Sequence, residues 1–327
     1  MKLQASLLAR SRWRPWEIGA WVLLWALPLV AAQYAGLINE IAILALFALS
    51  LDLILGYAGI VSLGHAAFFG LGAYTAGLLA VHGWGEPLSG LLAGAVVAGL
   101  FGFIVSFLVV RGQDLTRLMV TMGICLMLHE AANKASFITG GVDGLSGMMV
   151  GKLFGVFEFD LNGNVAFWYS FAVLFILFVV LRRVVKSPFG LSLIGIREGV
   201  RRMPSLGVNV NRRLIAIFTA AAAIAGVAGA LLAQTTQFVG LDSLGFPRSA
   251  ELLIMLVLGG TGRLYGALIG AAVFMVAQDY IAGLNPAYWQ FYIGLLLVLI
   301  VLFARGGILG GLEKIALRFK SSPKEQA

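Results

Sequence analysis

Apolar runs of 18 residues or more recur along almost the whole 327-residue chain, and this repetition leaves room for few architectures. A helical run of that length, rising about 1.5 Å per residue, matches the roughly 30 Å hydrocarbon core of a bilayer. In lipid only helices and closed barrels satisfy every backbone group, and continuous rather than alternating hydrophobicity selects helices. The composition agrees, at 60% hydrophobic and 12% charged residues with a mean hydropathy of +0.96. Soluble domains carry about 25% charge. The expected fold class is therefore all-α integral membrane, and no stretch is long and polar enough for a second soluble domain.

About ten spanning or partly spanning helices can be drawn, at 17–36, 38–57, 63–81, 89–110, 117–136, 165–183, 213–233, 249–260, 264–282 and 289–306. Two are weak: 249–260 is short for a bilayer, and the third begins in a glycine-rich stretch, 57–65, that is not cleanly apolar. Broken or re-entrant helices survive only where protein or a water-filled path covers their free backbone groups. Lys2, Arg10, Arg12 and Arg14 ahead of the first run imitate a secretory leader, but residues 17–36 are read as a retained span. Three domain-level pieces follow. These are a basic arm, expected to be cytoplasmic, at 1–16, a transmembrane domain at 17–306 and a basic tail, also expected to be cytoplasmic, at 307–327.

The net charge of +8 does not point to nucleic acid, because Lys and Arg fall between the apolar runs, as the positive-inside rule requires. The N-terminal arm, Arg111 with Arg117, the stretch from Arg182 to Arg213, Arg263 and the tail from Arg305 share one side, expected to be the cytoplasm. The loops at 82–88, 137–164 and 234–248 share the other, where Asp143, Glu158, Asp160 and Asp242 offset only Lys152 and Arg248. Rows of small residues, Gly262–Gly266–Gly270, Ala222–Gly226–Ala230 and Ala73–Gly77, suit close helix packing in lipid.

Little enzyme chemistry is on offer. The chain lacks a Gly-x-x-x-x-Gly-Lys-Ser/Thr string, so ATP binding by a phosphate loop is not expected of it. Gly144-Leu145-Ser146-Gly147 imitates a serine-protease motif, but His65, His82 and His129 all precede Ser146, and no later histidine is there to take its proton. Cys125 is the single cysteine, which rules out an intramolecular disulfide and a cysteine-based metal site. Neither a catalytic residue nor a cofactor is expected.

The polar residues inside apolar segments are the remaining candidates. Asp52 is the most expensive, since an Asp at a helix centre costs about 2.5–3.5 kcal/mol on insertion scales. It is either a path-lining or helix-locking acid, or a cap on the backbone of the break that follows at Gly56 and Gly59. His65 is a neutral histidine satisfied by a backbone carbonyl, or else a ligand or relay. His129, Glu130 and Lys134 read as a local ion pair. Between two spans, Ser187-Pro188 looks like a helix start, an N-cap hydroxyl before proline. Leu193, Ile196, Val200 and Met203 then form an apolar stripe, with Arg197, Glu198, Arg201 and Arg202 off it and Pro204 ending the run. This amphipathic helix either lies on the lipid surface or docks into a partner.

Residues 55–78, LGYAGIVSLGHAAFFGLGAYTAGL, closely resemble the signature of the branched-chain amino-acid ABC importer permeases, in particular the longer M-type subunit. The resemblance continues through Thr139-Gly140-Gly141, Asp143-Gly144-Leu145, SPFG at 187–190, IRE at 196–198, LGVNV at 206–210, Ser249, Glu251 and LGG at 258–260. It implies a type II-like ABC importer transmembrane fold in the bacterial inner membrane. The implied partners are a second, H-type permease, two ATPase subunits that hydrolyse the ATP, and a periplasmic substrate-binding protein. It also implies that 187–210 is the cytoplasmic coupling segment, with Arg197, Glu198, Arg201 and Arg202 at the ATPase. Branched-chain amino acids are then the expected substrate, with urea, short amides or other amino acids as alternatives. A mostly apolar path with a few polar groups, for which Asp52, His65, Tyr74, Thr75 and Glu251 are candidates, suits a small zwitterion bearing a hydrocarbon side chain. From the residues alone, a self-sufficient secondary transporter or channel stays open.

The alternation of sides is directly testable. With Cys125 replaced by Ala, a single cysteine at Ser146 is expected to react with an impermeant maleimide only from outside, and one at Ser192 only from inside. Labelling of both from the same side would shift the span count by one.

Overall fold

A computed structural model describes residues 15–30, 32–153, 163–284 and 307–311, with isolated positions among 155–159 and 286–298. The expected tenth span at 289–306, Glu158 and Asp160, most of the N-terminal arm and the tail beyond 311 fall on or among positions outside the described residues. Ten helices are labelled α1 Pro15–Val30, α2 Ala35–Asp52, α3 Ala66–Val81, α4 Pro87–Arg111, α5 Asp114–Lys134, α6 Asn164–Lys186, α7 Pro188–Gly199, α8 Val210–Thr236, α9 Phe246–Gly259 and α10 Leu264–Leu284. Six of the apolar helices, α2 with its extension to Tyr57, α4, α5, α6, α8 and α10, are long enough to cross a membrane. The helix α1 stops at Val30 rather than continuing to 36, and a 3-10 turn at Ala32–Tyr34 separates it from α2. With 14 residues, α9 reaches only about 21 Å and does not cross alone.

The central helix is α2. From Ala42 to Asp52 every residue is buried, as a helix apolar on all sides must be. Around it pack α6, α8, α9 and α10, while α8 also crosses α3 and α4. A buried ion pair ties the periphery to this core: Glu17 on α1 and Arg182 on α6 approach to 2.6 Å.

The small-residue rows do what lipid packing demands. On α8, a side chain at Gly226 would strike Ala98 and the Gly94 carbonyl of α4, and one at Gly72 of α3 would strike the Gly226 backbone. Gly266 and Gly270 likewise sit on the backbone of α9. Gly262 departs from the expected row: it belongs to the turn between α9 and α10, with φ +76°.

The loops sort into two groups without any membrane being present. At one end Leu145 and Val239 exchange both backbone hydrogen bonds, and Gly151 N–H donates to the Gly85 carbonyl at 2.8 Å, so the 82–88, 137–164 and 234–248 loops meet. At the other end the breaks after α2 and α9 meet α7.

The amphipathic segment differs in detail from its expected form. Ser187 does not cap α7 with its hydroxyl; Ser187 Oγ donates back to the Val184 carbonyl at 2.6 Å and closes α6 instead. Leu193, Ile196 and Met203 are buried, but Val200 is exposed, because α7 ends at Gly199 and the chain tightens into 3-10 turns at Val200–Arg202 and Pro204–Leu206. Pro204 therefore opens a turn rather than ending a helix.

Gly226→Val is expected to destabilise the detergent-solubilised protein by about 1–3 kcal/mol or to prevent its folding, since overpacking has no room to relax here. Gly123→Ala on α5, where nothing lies within 4 Å of the added carbon, should be neutral or slightly stabilising. Thermal unfolding of the two variants side by side checks the contrast.

Candidate functional site

The helical ladder of α2 does not simply stop. After Asp52 it widens into a π turn, Leu53–Tyr57, and Ile60 N–H closes that turn on the Ile54 carbonyl at 2.8 Å. The chain then runs without helix to His65 before α3 begins at Ala66. This interruption frees backbone groups inside the bundle, and the surrounding elements supply their partners.

The turn between α9 and α10 is held first. Asp52 Oδ1 accepts from Gly262 N–H at 2.7 Å, so the buried carboxylate caps a turn 210 residues away rather than its own break. Next comes the Gly56 carbonyl, which accepts a hydrogen bond from Arg197 Nη1 of α7. Both contacts need glycine: a β-carbon at Gly56 would occupy the space of Asp52 Oδ1 and Gly262, and one at Gly59 would lie 2.8 Å from Arg197 Cγ.

At the start of α3, Ala66 N–H donates to Ser249 Oγ of α9 at 2.9 Å, and Leu63 N–H donates to Thr121 Oγ1 of α5 at 3.3 Å. Ser249 is thus a non-local N-cap. His65 lies beneath these groups, fully buried, stacked on Phe47 at 5.7 Å and edge-on to Phe68. Its Nε2 is 2.8 Å from Ser50 Oγ, whose own proton goes to the Phe47 carbonyl at 2.6 Å. Ser50 must then accept, which places the imidazole proton on Nε2. A side-chain hydroxyl, not the expected backbone carbonyl, is the partner of this histidine, and it engages Nε2 while the buried Nδ1 has none among the described residues.

The other nominated residues are dispersed. Tyr74 is buried midway along α3, in a cluster with Leu145, Met148, Val239 and Leu244. Thr75 Oγ1 bonds the Leu71 carbonyl of its own helix at 2.6 Å. Glu251 pairs with Arg248 at 3.1 Å, both partly exposed. Asp52 and His65 share the break, whereas Tyr74, Thr75 and Glu251 do not join it. Glu130 and Lys134 stand 3.9 Å apart on the exposed face of α5. Arg197 and Glu198 on α7 are exposed, as are Arg201 and Arg202 in the 3-10 turn that follows it. Among the described residues no group of three or more His, Cys, Asp or Glu is gathered as a metal would need.

Ser50, Thr121, Ser249 and Gly262 escaped nomination as site residues. A hydroxyl in a span is cheap when it bonds its own helix, so Ser50 and Thr121 are unremarkable until the break beside them is seen.

A multi-pass α-helical membrane protein with interrupted helices facing an amphipathic connecting helix is the class this architecture defines. The sequence profile of the family described as "Branched-chain amino acid transport system / permease component" matches residues 33–301, and the chain belongs to that family. It is 30% identical over 287 residues to the high-affinity branched-chain amino acid transport system permease protein LivM of Escherichia coli K12, covering 80% of this chain and 66% of that protein. BraD of Pseudomonas aeruginosa and LivH of Escherichia coli K12, permease proteins of the same description, are 25% and 24% identical, each covering 81% of this chain and 91% of the relative. The identity is higher to the M-type relative than to the H-type. The chain spans about two thirds of the length of the LivM protein it matches.

Replacing Ser249 by Ala leaves the Ala66 N–H without its acceptor in a dry site, and is expected to cost about 1–3 kcal/mol of stability. Thr75→Ala, which removes a bond made within one helix, should change stability by less than about 0.5 kcal/mol. Parallel thermal unfolding in one detergent reads the difference.

Proposed function

We propose that the chain is the transmembrane permease subunit of an ATP-driven importer that carries branched-chain amino acids across the bacterial inner membrane. Family membership supports the permease role, and the relatives' described substrate supports the cargo. The observation that carries the ATP-driven mechanism is the build of α7. This helix is fixed between two spans, α6 and α8, and Leu193, Ile196 and Met203 root it in the core. Asn209 caps the return into α8, its Oδ1 accepting from Arg212 N–H at 3.1 Å. Glu198, Arg201 and Arg202 stay exposed, with Arg197 beside them.

A charged helix held at both ends is what a second polypeptide needs in order to push on a membrane domain. In this reading 187–210 faces the cytoplasm and is gripped by one of two ATPase subunits. A second permease of the H-type completes the path, and a periplasmic protein selects and delivers the substrate. The basic arm and tail share the cytoplasmic side with α7. The lack of a Gly-x-x-x-x-Gly-Lys-Ser/Thr string in the sequence supports assigning ATP hydrolysis to the partner.

Substrate entry then requires modest affinity from the permease. The apolar surroundings of the break and its few polar groups, of which Asp52 Oδ2, Ser62 Oγ and His65 Nδ1 have no partner among the described residues, suit passage of a zwitterion with a hydrocarbon side chain. Tyr74, Thr75 and Glu251 are proposed to lie farther along the same route, on α3 and the start of α9.

In proteoliposomes containing the assembled importer and its binding protein, ATP-dependent uptake of labelled leucine is expected, and excess isoleucine or valine but not urea should compete. Glu198→Lys should lower that uptake by about tenfold, the effect of roughly 1.4 kcal/mol of lost interface energy, while the binding protein keeps its affinity. Competition by urea alone would move the cargo to short amides. Unaltered uptake in the variant would return α7 to a lipid-surface role.

A further inference from the structure

Arg197 and Glu198 of α7 and Arg201 and Arg202 of the turn after it are all exposed, but Arg197 also sends its guanidinium inward to a buried carbonyl. Its stem runs along Gly59, where an added β-carbon would come within 2.8 Å of Cγ and 3.4 Å of Cβ. Its guanidinium then reaches the Gly56 carbonyl, 141 residues away in sequence. A β-carbon at Gly262 would lie 3.1 Å from both Arg197 Nη1 and that same carbonyl oxygen. Asp52, one turn ahead of Gly56, holds Gly262 through its backbone N–H. Four groups from three distant segments therefore meet at one point: the end of α7, the break after α2 and the turn between α9 and α10.

The geometry of this joint is specific. Gly59 and Gly262 have φ of +73° and +76°, a region open to glycine and strained for other residues. The same two glycines clear the volume that the arginine side chain fills, and Gly56 clears that of the Asp52 carboxylate. Apolar contacts such as those of Leu193 and Ile196 let a helix slide over its neighbour with little change in energy. A guanidinium bonded to a buried carbonyl does not, because the bond is directional and breaking it leaves the acceptor dry.

We propose that Arg197 is a positioning residue that latches α7 to the broken end of α2, so that a displacement of α7 is delivered at once to residues 56–65 and to the 260–263 turn. Those two segments carry the inner ends of α2 and α9 and the starts of α3 and α10. The latch thereby joins the point of force to four helices, and its contact is made inside this chain rather than on an ATPase. The proposal rests on the reading of the chain as an importer permease.

The test uses the assembled importer in proteoliposomes and records three quantities: ATPase co-purification, ATP hydrolysis and substrate moved per ATP. For Arg197→Gln the expected result is ATPase association and hydrolysis within about twofold of wild type and transport per ATP reduced about tenfold, as loss of one charge-assisted bond permits. Gly59→Ala, which displaces the arginine from beneath without altering the charge of α7, should give the same uncoupling. Loss of the ATPase from the Arg197→Gln complex would make Arg197 a docking contact and overturn the latch. Wild-type transport per ATP in Gly59→Ala would also overturn it, and that variant decides if Arg197→Gln fails to assemble. A wild-type chain that binds no ATPase would instead defeat the permease reading.

Discussion

In a bilayer, a backbone N–H or carbonyl that loses its helical partner has no water to turn to, and each one left bare costs several kcal/mol. The interruption of α2 and α3 between Leu53 and His65 creates such groups in the middle of the bundle, and the packing around it follows from closing them. The side chain of Ser249 covers the first N–H of α3, Thr121 covers Leu63, and Arg197 covers the Gly56 carbonyl. Three helices that are remote in sequence are thereby fixed against one loop. Asp52 completes the enclosure by taking the Gly262 N–H. The polar atoms around this break act as a framework, and the apolar helices pack to it.

That arrangement explains why a transport protein would tolerate a carboxylate and an imidazole in its most buried helix pair. Neither is gathered with other acids or histidines among the described residues, and the ionisable neighbour of Asp52 is Arg197. His65 is spent on Ser50, and one oxygen of Asp52 on a backbone amide. Their chemistry is that of fasteners for a bent backbone, and a bent backbone held by few directional bonds can change shape at low cost. The long helices α4 and α8, sealed by Gly94, Gly226 and Ala98, offer no comparable freedom. Motion that reaches α7 therefore has a natural outlet at the break.

Much of this was legible in the residues. Span positions came close because apolar length is a local property: the expected 89–110 and 165–183 correspond to helices at 87–111 and 164–186. The weak places were legible too, since Gly56, Gly59 and Gly64 thin out the apolar run, and 249–260 is too short to cross. The cost of Asp52 and the amphipathic character of the helix after Ser187 could be seen without coordinates. Less legible was the start of α7, where Ser187 turns its hydroxyl backward to Val184. An N-cap and a C-terminal back-bond require the same residue type, and only the neighbouring helix end decides between them.

By itself the sequence determined the class, the approximate spans and the family, because each depends on hydrophobicity or strings of adjacent residues. Tertiary structure alone decided who answers whom. That Asp52 meets Gly262, that Ser249 caps α3, that His65 leans on Ser50 and that Arg197 turns inward to Gly56 all depend on helices meeting across 15 to 210 residues of chain. Such pairings leave no periodic trace, since a serine, a glycine or an arginine is chemically the same wherever its partner stands. The geometry of the bundle selects the partner, and lipid makes the choice binding by excluding water from the gap.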